Sequence, residues 1–271
     1  EQSGFTNISP VAGALEYLGR GKEPATVALL QEYVSNEGDA WKYTRDFLRL
    51  YFEAVSARTE SAEELSEELA PSRLTEALDL DPPPSATERF GPYLQSARLL
   101  GQRTGELHLA LASNRKDLEF RPEPFNAQAR RSLYESLRSR AAKCFQLLKK
   151  QQPRLPEPAS QMAGEALEVE PRVFRAFRTV LAKKLTGLRI RTHGDFHLGQ
   201  VLNTGNDFVI IDFEGEPALP LCERRYKRSP LRDVAGMIRS FHYASHSLLF
   251  HEAMRPEDVP LLEQWAEFWF G

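Results

Sequence analysis

Two short segments hold residues whose types and spacing suit the transfer of a phosphoryl group. The first is His193-Gly194-Asp195-Phe196-His197-Leu198-Gly199-Gln200; the second is Ile210-Ile211-Asp212-Phe213-Glu214-Gly215. Moving phosphate onto a hydroxyl needs a carboxylate that accepts the hydroxyl proton, together with oxygen ligands for Mg2+. Asp195 fits the base, and the Gln200 side-chain carbonyl and the Asp212 carboxylate fit the metal ligands. The apolar run before Asp212 would hold that carboxylate rigidly at a strand end. Either aspartate taken singly reads equally well as a loop cap or turn residue. The three together, at this separation, favour chemistry.

Neighbouring residues divide between chemistry and support. His193 reads as the anchor of its loop's backbone rather than as a reacting group. His197 either touches substrate or metal-bound phosphates or packs beneath the loop. Glu214 is an outer metal or sugar contact or a solvated carboxylate. The basic run Arg224-Arg225-Tyr226-Lys227-Arg228 is a solvated loop or, Arg228 included, a contact for sugar hydroxyls or phosphate. Asp233 either bonds the catalytic-loop backbone or is a first-turn helix charge. His242 and His246 stand four apart on a helix, a spacing used by some zinc sites, but no third ligand is visible near them. Trp265, Phe268, Trp269 and Phe270 read as a core-facing helix rather than a sugar platform. Gly101 and Gly105 read as points of close helix packing.

The elements that must position these groups are mostly helical. Residues 6–18 and 26–34 read as two strands of a hairpin, joined by turn residues from Gly19 to Pro24. Two strands alone are marginal in water. Asp39 is an N-cap for a helix from Trp41 to Val55. Glu60 to Glu68 reads as a short surface helix, and Asp81-Pro82-Pro83-Pro84 as a stiff connector. Helices follow over 89–112, 124–151 and 171–186, the last stopped by Gly187. Leu188 to Thr192 is a strand end, and 200–203 with 208–212 form a hairpin. Ser229-Pro230 starts a helix to about Phe250, and a last aromatic helix covers 257–270. The fold class is α+β.

Bulk composition narrows the alternatives. The net charge of 35 − 38 = −3 gives no basic face for nucleic acid or an acidic membrane. Two cysteines, Cys144 and Cys222, are too few for a disulfide framework. No stretch approaches the roughly 18 to 20 apolar residues of a membrane span, and the first residues have no leader character, so the expected location is cytoplasmic.

In its wording the sequence resembles the maltokinases, within the aminoglycoside-phosphotransferase-like branch of the protein-kinase-like fold, especially those fused behind a trehalose synthase. The resemblance rests on His193 to Gln200, Ile211 to Pro217, Lys227 to Gly236 with Ser240 to Tyr243, and Leu100 to Leu109. It covers nearly the whole chain. It implies a bilobal fold, with residues 1–35 ending an incomplete N-terminal lobe and 36–271 forming a helical C-terminal catalytic lobe. It implies the reaction ATP + maltose → ADP + maltose 1-phosphate, feeding α-glucan and glycogen synthesis. It also implies ATP and Mg2+ as cofactors, and a fused or associated trehalose synthase as partner. Asp195 would be the base and Gln200 and Asp212 the Mg2+ ligands. Gln31 to Val34 would form the inter-lobe hinge, with the Glu32 carbonyl and the Val34 amide holding the adenine edge. Most kinases of this broad fold have Asn where this chain has Gln200. No phosphate-covering loop or strand Lys precedes the hinge-like segment, and Lys22 reads as a solvated loop charge. The chain therefore reads as a fragment cut inside its first lobe, expected to turn over ATP poorly by itself; the alternatives are another small-molecule kinase of the same fold or a catalytically incomplete, pseudokinase-type binding module.

Overall fold

The computed structural model describes residues 4–19, 24–57, 81–249 and 258–271. Lys22 and the acidic stretch from Glu60 to Glu68 lie outside the described residues. The chain divides into two compact units, one formed by 1–121 with 191–271 and the other by 122–190.

The first unit opens with an antiparallel pair, β1 (Val11–Tyr17) and β2 (Ala25–Gln31), in the expected hairpin arrangement. Nearly every residue of both strands is exposed. Helix α1 (Ala40–Ala57) starts where Asp39 predicts, because the Asp39 carboxylate accepts the Lys42 amide at 2.7 Å. Its Ala40, Thr44, Leu48, Tyr51, Phe52 and Val55 recur at helical spacing and are buried. Helix α2 (Pro84–Leu111) begins on Pro84 itself, since a proline at a helix's first turn loses no intrahelical bond. It turns Phe90, Tyr93, Leu100, Thr104 and Leu107 inward.

In the second unit, β3 (Glu123–Pro124) pairs with β4 (Leu188–Arg189) beside helices α3 (Ala127–Gln151), α4 (Ala159–Glu168) and α5 (Glu170–Ala182). Asn126 caps α3 by accepting the Ala129 amide. The helix expected over 171–186 is shorter, ending at Ala182 rather than at Gly187, and α4 precedes it. Pro158 stands at the N-cap position of α4.

Back in the first unit, one 3-10 turn (Leu198–Gln200) leads into β5 (Val201–Asn203) and β6 (Phe208–Ile210). Single bridges widen that hairpin on both sides: Asn7 carbonyl accepts the Ile210 amide, and Gly38 carbonyl accepts the Asn203 amide. A one-turn helix α6 (Leu221–Arg224) precedes α7 (Leu231–Ser247), whose first turn uses Ser229 Oγ to accept the Leu231 amide. Helix α8 (Val259–Phe270) buries Leu262, Trp265, Ala266 and Phe268. Tyr51 meets Phe90 and Trp265 edge-on, with ring centroids at 5.2 and 6.1 Å, and Phe90 meets Phe268 at 5.5 Å. Trp265 is fully buried among them, so this aromatic stripe is core, as its spacing indicates. Gly101 and Gly105 depart from expectation: a β-carbon at either would meet nothing within 4 Å, so neither serves close packing. Among the described residues no helix is long and apolar enough to cross a membrane.

Candidate active site

One face of α7 builds the loop that carries Asp195. The buried Asp233 carboxylate accepts the backbone amides of His193 at 2.9 Å and Gly194 at 3.0 Å, and meets His108 Nε2 of α2 at 3.1 Å. One turn on, a β-carbon on Gly236 would lie 2.7 Å from the Phe196 carbonyl oxygen, so only glycine lets the helix approach this closely. One further turn on, Ser240 Oγ accepts the Leu198 amide at 3.1 Å. Positions 233, 236 and 240 follow a helical repeat, so one rigid ridge grips the loop at three levels. Asp233 thus bonds the backbone of the loop that carries Asp195, the first of its two readings.

His193 is the anchor that the sequence suggests. It is 1% exposed, packs between Phe196 and Phe213, and places Nε2 at 2.8 Å from the Ile211 carbonyl. Burial holds its pKa below the usual imidazole value, although the Ile211 bond and nearby carboxylates pull it upward. The neutral ring donates from Nε2 and ties the first segment to the second, immediately before Asp212. Gly194 has φ +89, where a β-carbon would strain the chain, and its backbone lies against Gly215.

This join brings the expected metal ligands together. Gln200 Nε2 donates to Asp212 Oδ2 at 2.9 Å, and the Ile211 amide donates to the Gln200 carbonyl at 3.0 Å. With its amide nitrogen so engaged, Gln200 keeps Oε1 and Asp212 keeps Oδ1, oxygen donors of the kind that Mg2+ takes. Asp212 has φ +61, the only non-glycine in the left-handed region among the described residues. Such strained backbone gathers at functional sites. Asp195 is partly exposed, with Oδ2 4.0 Å from His197 Nε2.

The remaining expected residues take varied places. His197 Nδ1 accepts the Gly199 amide at 3.1 Å, shaping the turn before Gln200. Glu214 is exposed on the loop after Asp212. The basic run is partly committed to backbone: Arg224 donates to the Leu219 and Pro217 carbonyls, Lys227 to Leu118, and the Arg228 guanidinium lies over the Tyr226 ring. In the hinge-like segment the Glu32 carbonyl accepts Ser9 Oγ at 2.6 Å, and the Val34 carbonyl accepts Asn36 Nδ2. The Glu32 oxygen keeps a second lone pair for a ligand.

A support that sequence reading passes over holds the hairpin tip. Arg103 of α2 grips Asp207 with Nε and Nη2, each at 2.8 Å, and Asn7 and the Phe208 amide add two more bonds to the same carboxylate. The Arg103 guanidinium holds the Asp207 carboxyl below its ordinary range. Only the turn-forming Gly205-Asn206-Asp207 marks this place in the sequence. An open cleft of about 420 Å3 lies beside Phe213, lined by Phe5, Ile8, Leu107, Leu111 and Phe120 among others. Ser113, Asn114 and Asp117 also line it, and the rest of the lining is apolar.

No family model matches the chain. A glucosamine kinase from Streptacidiphilus jiangxiensis is 25% identical over 252 residues, covering 92% of this chain and 45% of that protein. A glucosamine kinase from Mycolicibacterium smegmatis is 48% identical over 54 residues, 20% of this chain and 13% of that protein. The chain thus spans less than half the length of these curated relatives. Among solved structures, glucosamine kinase in complex with glucosamine, ADP and inorganic phosphate matches with a TM-score of 0.60 at 22% identity, covering 99% of this chain and 55% of that one. A second crystal form of glucosamine kinase matches with a TM-score of 0.61 at 22% identity, covering 99% of this chain and 51% of that one. Over nearly its whole length, the chain has the fold of roughly half of a glucosamine kinase.

Proposed function

We propose that the chain carries the catalytic centre of an ATP- and Mg2+-dependent sugar kinase. The observation that carries this reading is the convergence of Gln200 and Asp212 at 2.9 Å, on a loop joined through His193 to the one bearing Asp195. In this reading residues 1–35 end a first lobe and 36–271 form the catalytic lobe. Asp195 accepts the proton of the acceptor hydroxyl as its oxygen bonds to the γ-phosphorus and the bond to ADP breaks. Gln200 and Asp212 would hold Mg2+, which when bound offsets charge on the transferring phosphoryl group. The Glu32 carbonyl and the Val34 amide would take the adenine edge. His193 and Asp233 position the loop and touch no substrate; His197, Glu214 and Arg228 border the acceptor.

Maltose is the proposed acceptor, supported by the wording of residues 193–243, with trehalose-derived maltose and a cytoplasmic setting as its context. The relatives favour a second acceptor, glucosamine. ADP release measured against maltose, glucosamine, glucose and trehalose separates the two, and maltose should lead. In a protein active on any of these, Asp195→Asn should lower kcat about 10²- to 10⁴-fold with sugar binding retained. Near-normal turnover in that variant would remove Asp195 from the base role.

A further inference from the structure

Helix α7 has a second working side. Roughly 130° around the helix from the ridge that grips the loop stand His242 and His246. Their imidazoles stack with centroids 4.3 Å apart and planes 25° from parallel. The third donor that the sequence does not reveal comes from α8: Glu267 Oε1 lies 3.1 Å from His246 Nε2 and 4.0 Å from His242 Nε2. The three ligand atoms all lie within 4.8 Å of one another.

Hydrogen bonds behind His246 help define this arrangement. Ser245 Oγ donates to the His242 carbonyl, and His246 Nδ1 lies 3.0 Å from both that carbonyl and Ser245 Oγ. A ring protonated at Nδ1 satisfies these partners and leaves the Nε2 lone pair facing a carboxylate oxygen. With the proton on Nε2 instead, Nδ1 would face the His242 carbonyl 3.0 Å away with no hydrogen between them; with it on Nδ1, the 3.1 Å gap to Glu267 Oε1 needs a positive charge, a bound cation or an imidazolium proton. A backbone carbonyl bonded to the far ring nitrogen is also the usual outer support of a metal-bound histidine.

We propose that His242, His246 and Glu267 bind a divalent transition metal of the zinc class. Bond lengths of about 2.0–2.1 Å in a tetrahedral site place neighbouring ligand atoms about 3.3 Å apart. The 3.1 Å pair already fits, and the 4.0 Å pair closes by a small rotation of side chains that are 49% and 60% exposed. Two imidazoles and one carboxylate favour zinc, cobalt or nickel over magnesium, and the exposed fourth position takes water. The site is chemically distinct from the all-oxygen pair at Gln200 and Asp212. Bound metal would clamp the C-terminal end of α7 to the last turns of α8, and so stiffen the helix on which the catalytic loop is mounted.

The test is calorimetric titration of Zn2+ alone into the protein at neutral pH, paired with melting curves. One equivalent should bind saturably, and the melting temperature should rise with zinc concentration. His242→Ala, His246→Ala and Glu267→Gln should each weaken binding about tenfold or more. Glu267→Gln keeps the side-chain shape at a 60% exposed position, so it tests the site even where a histidine variant folds poorly. A positive charge supplied only by an imidazolium proton would give no saturable zinc binding, and that result overturns the proposal. Binding that persists unchanged in His246→Ala also overturns it, by placing the metal on other donors.

Discussion

Replacing Asp233 with asparagine isolates the grip of α7 on the loop that carries Asp195. Its two carboxylate oxygens accept three groups: Gly194 N–H on Oδ1, and His193 N–H with His108 Nε2 on Oδ2. Asparagine has one oxygen and one NH2, so in either orientation a backbone N–H of His193 or Gly194 faces another donor. Leaving one buried donor unsatisfied costs about 1–3 kcal/mol, and loss of the carboxylate's charge weakens each surviving bond by about 1 kcal/mol. The sum is roughly 2–4 kcal/mol, a thirty- to thousandfold rise in local opening. Hydrogen exchange at the His193 and Gly194 amides should accelerate by about that factor, and chemical denaturation should show a loss of similar size. Neither measurement depends on turnover. Asp117→Asn is the control, because that exposed carboxylate caps only its own turn and should stay within about 0.5 kcal/mol of wild type. Unchanged exchange at both amides would refute the idea that this one side chain holds the loop.

Other perturbations test neighbouring supports. Gly236→Ala adds helix propensity of about 1 kcal/mol, yet its β-carbon would stand 2.7 Å from the Phe196 carbonyl oxygen; net destabilisation of about 1–3 kcal/mol is expected, and a more stable variant would contradict the close approach. Ser240→Ala removes the acceptor of the Leu198 amide and should cost about 1 kcal/mol in denaturant titration, with no change at the hairpin tip. The pairing of Arg103 with Asp207 should show in pH dependence. The folded carboxyl has a lower pKa than the unfolded one, so its contribution is whole above the unfolded value of about 3.9 and fades as pH falls through the folded value. The stability gap between wild type and Arg103→Met should therefore be level from about pH 5 to 8 and shrink below about 4; a gap that widens on acidification would exclude the assigned cause.

The local signals in the sequence are legible where a residue acts on its near neighbours. Asp39 caps α1, the Ser229 oxygen starts α7, and the apolar run before Asp212 ends in a strand. Spacing likewise separates the core stripe of α8 from a sugar platform, because Leu262, Trp265 and Ala266 recur at helical period and are buried. Tertiary partners are a different matter. His108 and Asp233 are 125 positions apart, Arg103 and Asp207 104, and nothing in either local pattern announces the other. The same blindness hides Glu267 from His242 and His246. Gly101 and Gly105 mislead in the opposite sense: small residues allow close packing but do not require it, and both face open space. In the proposed reading the acceptor sugar is legible only through resemblance, because it depends on groups bordering Asp195 rather than on Asp195, Gln200 and Asp212 themselves.

The pair formed by β1 and β2 has a consequence for handling the molecule. Val11, Leu15, Tyr17, Leu18, Val27, Leu29 and Leu30 stand between 56% and 73% exposed, on a ribbon whose two outer edges are unpaired among the described residues. Such a ribbon offers open N–H and C=O rows together with greasy flanks, a template on which a second copy can lay its own strand. Prepared as these 271 residues alone, concentrated samples should be adhesive at this end, and a charged residue placed at Leu15 or Leu29 is the simplest way to keep the copies apart.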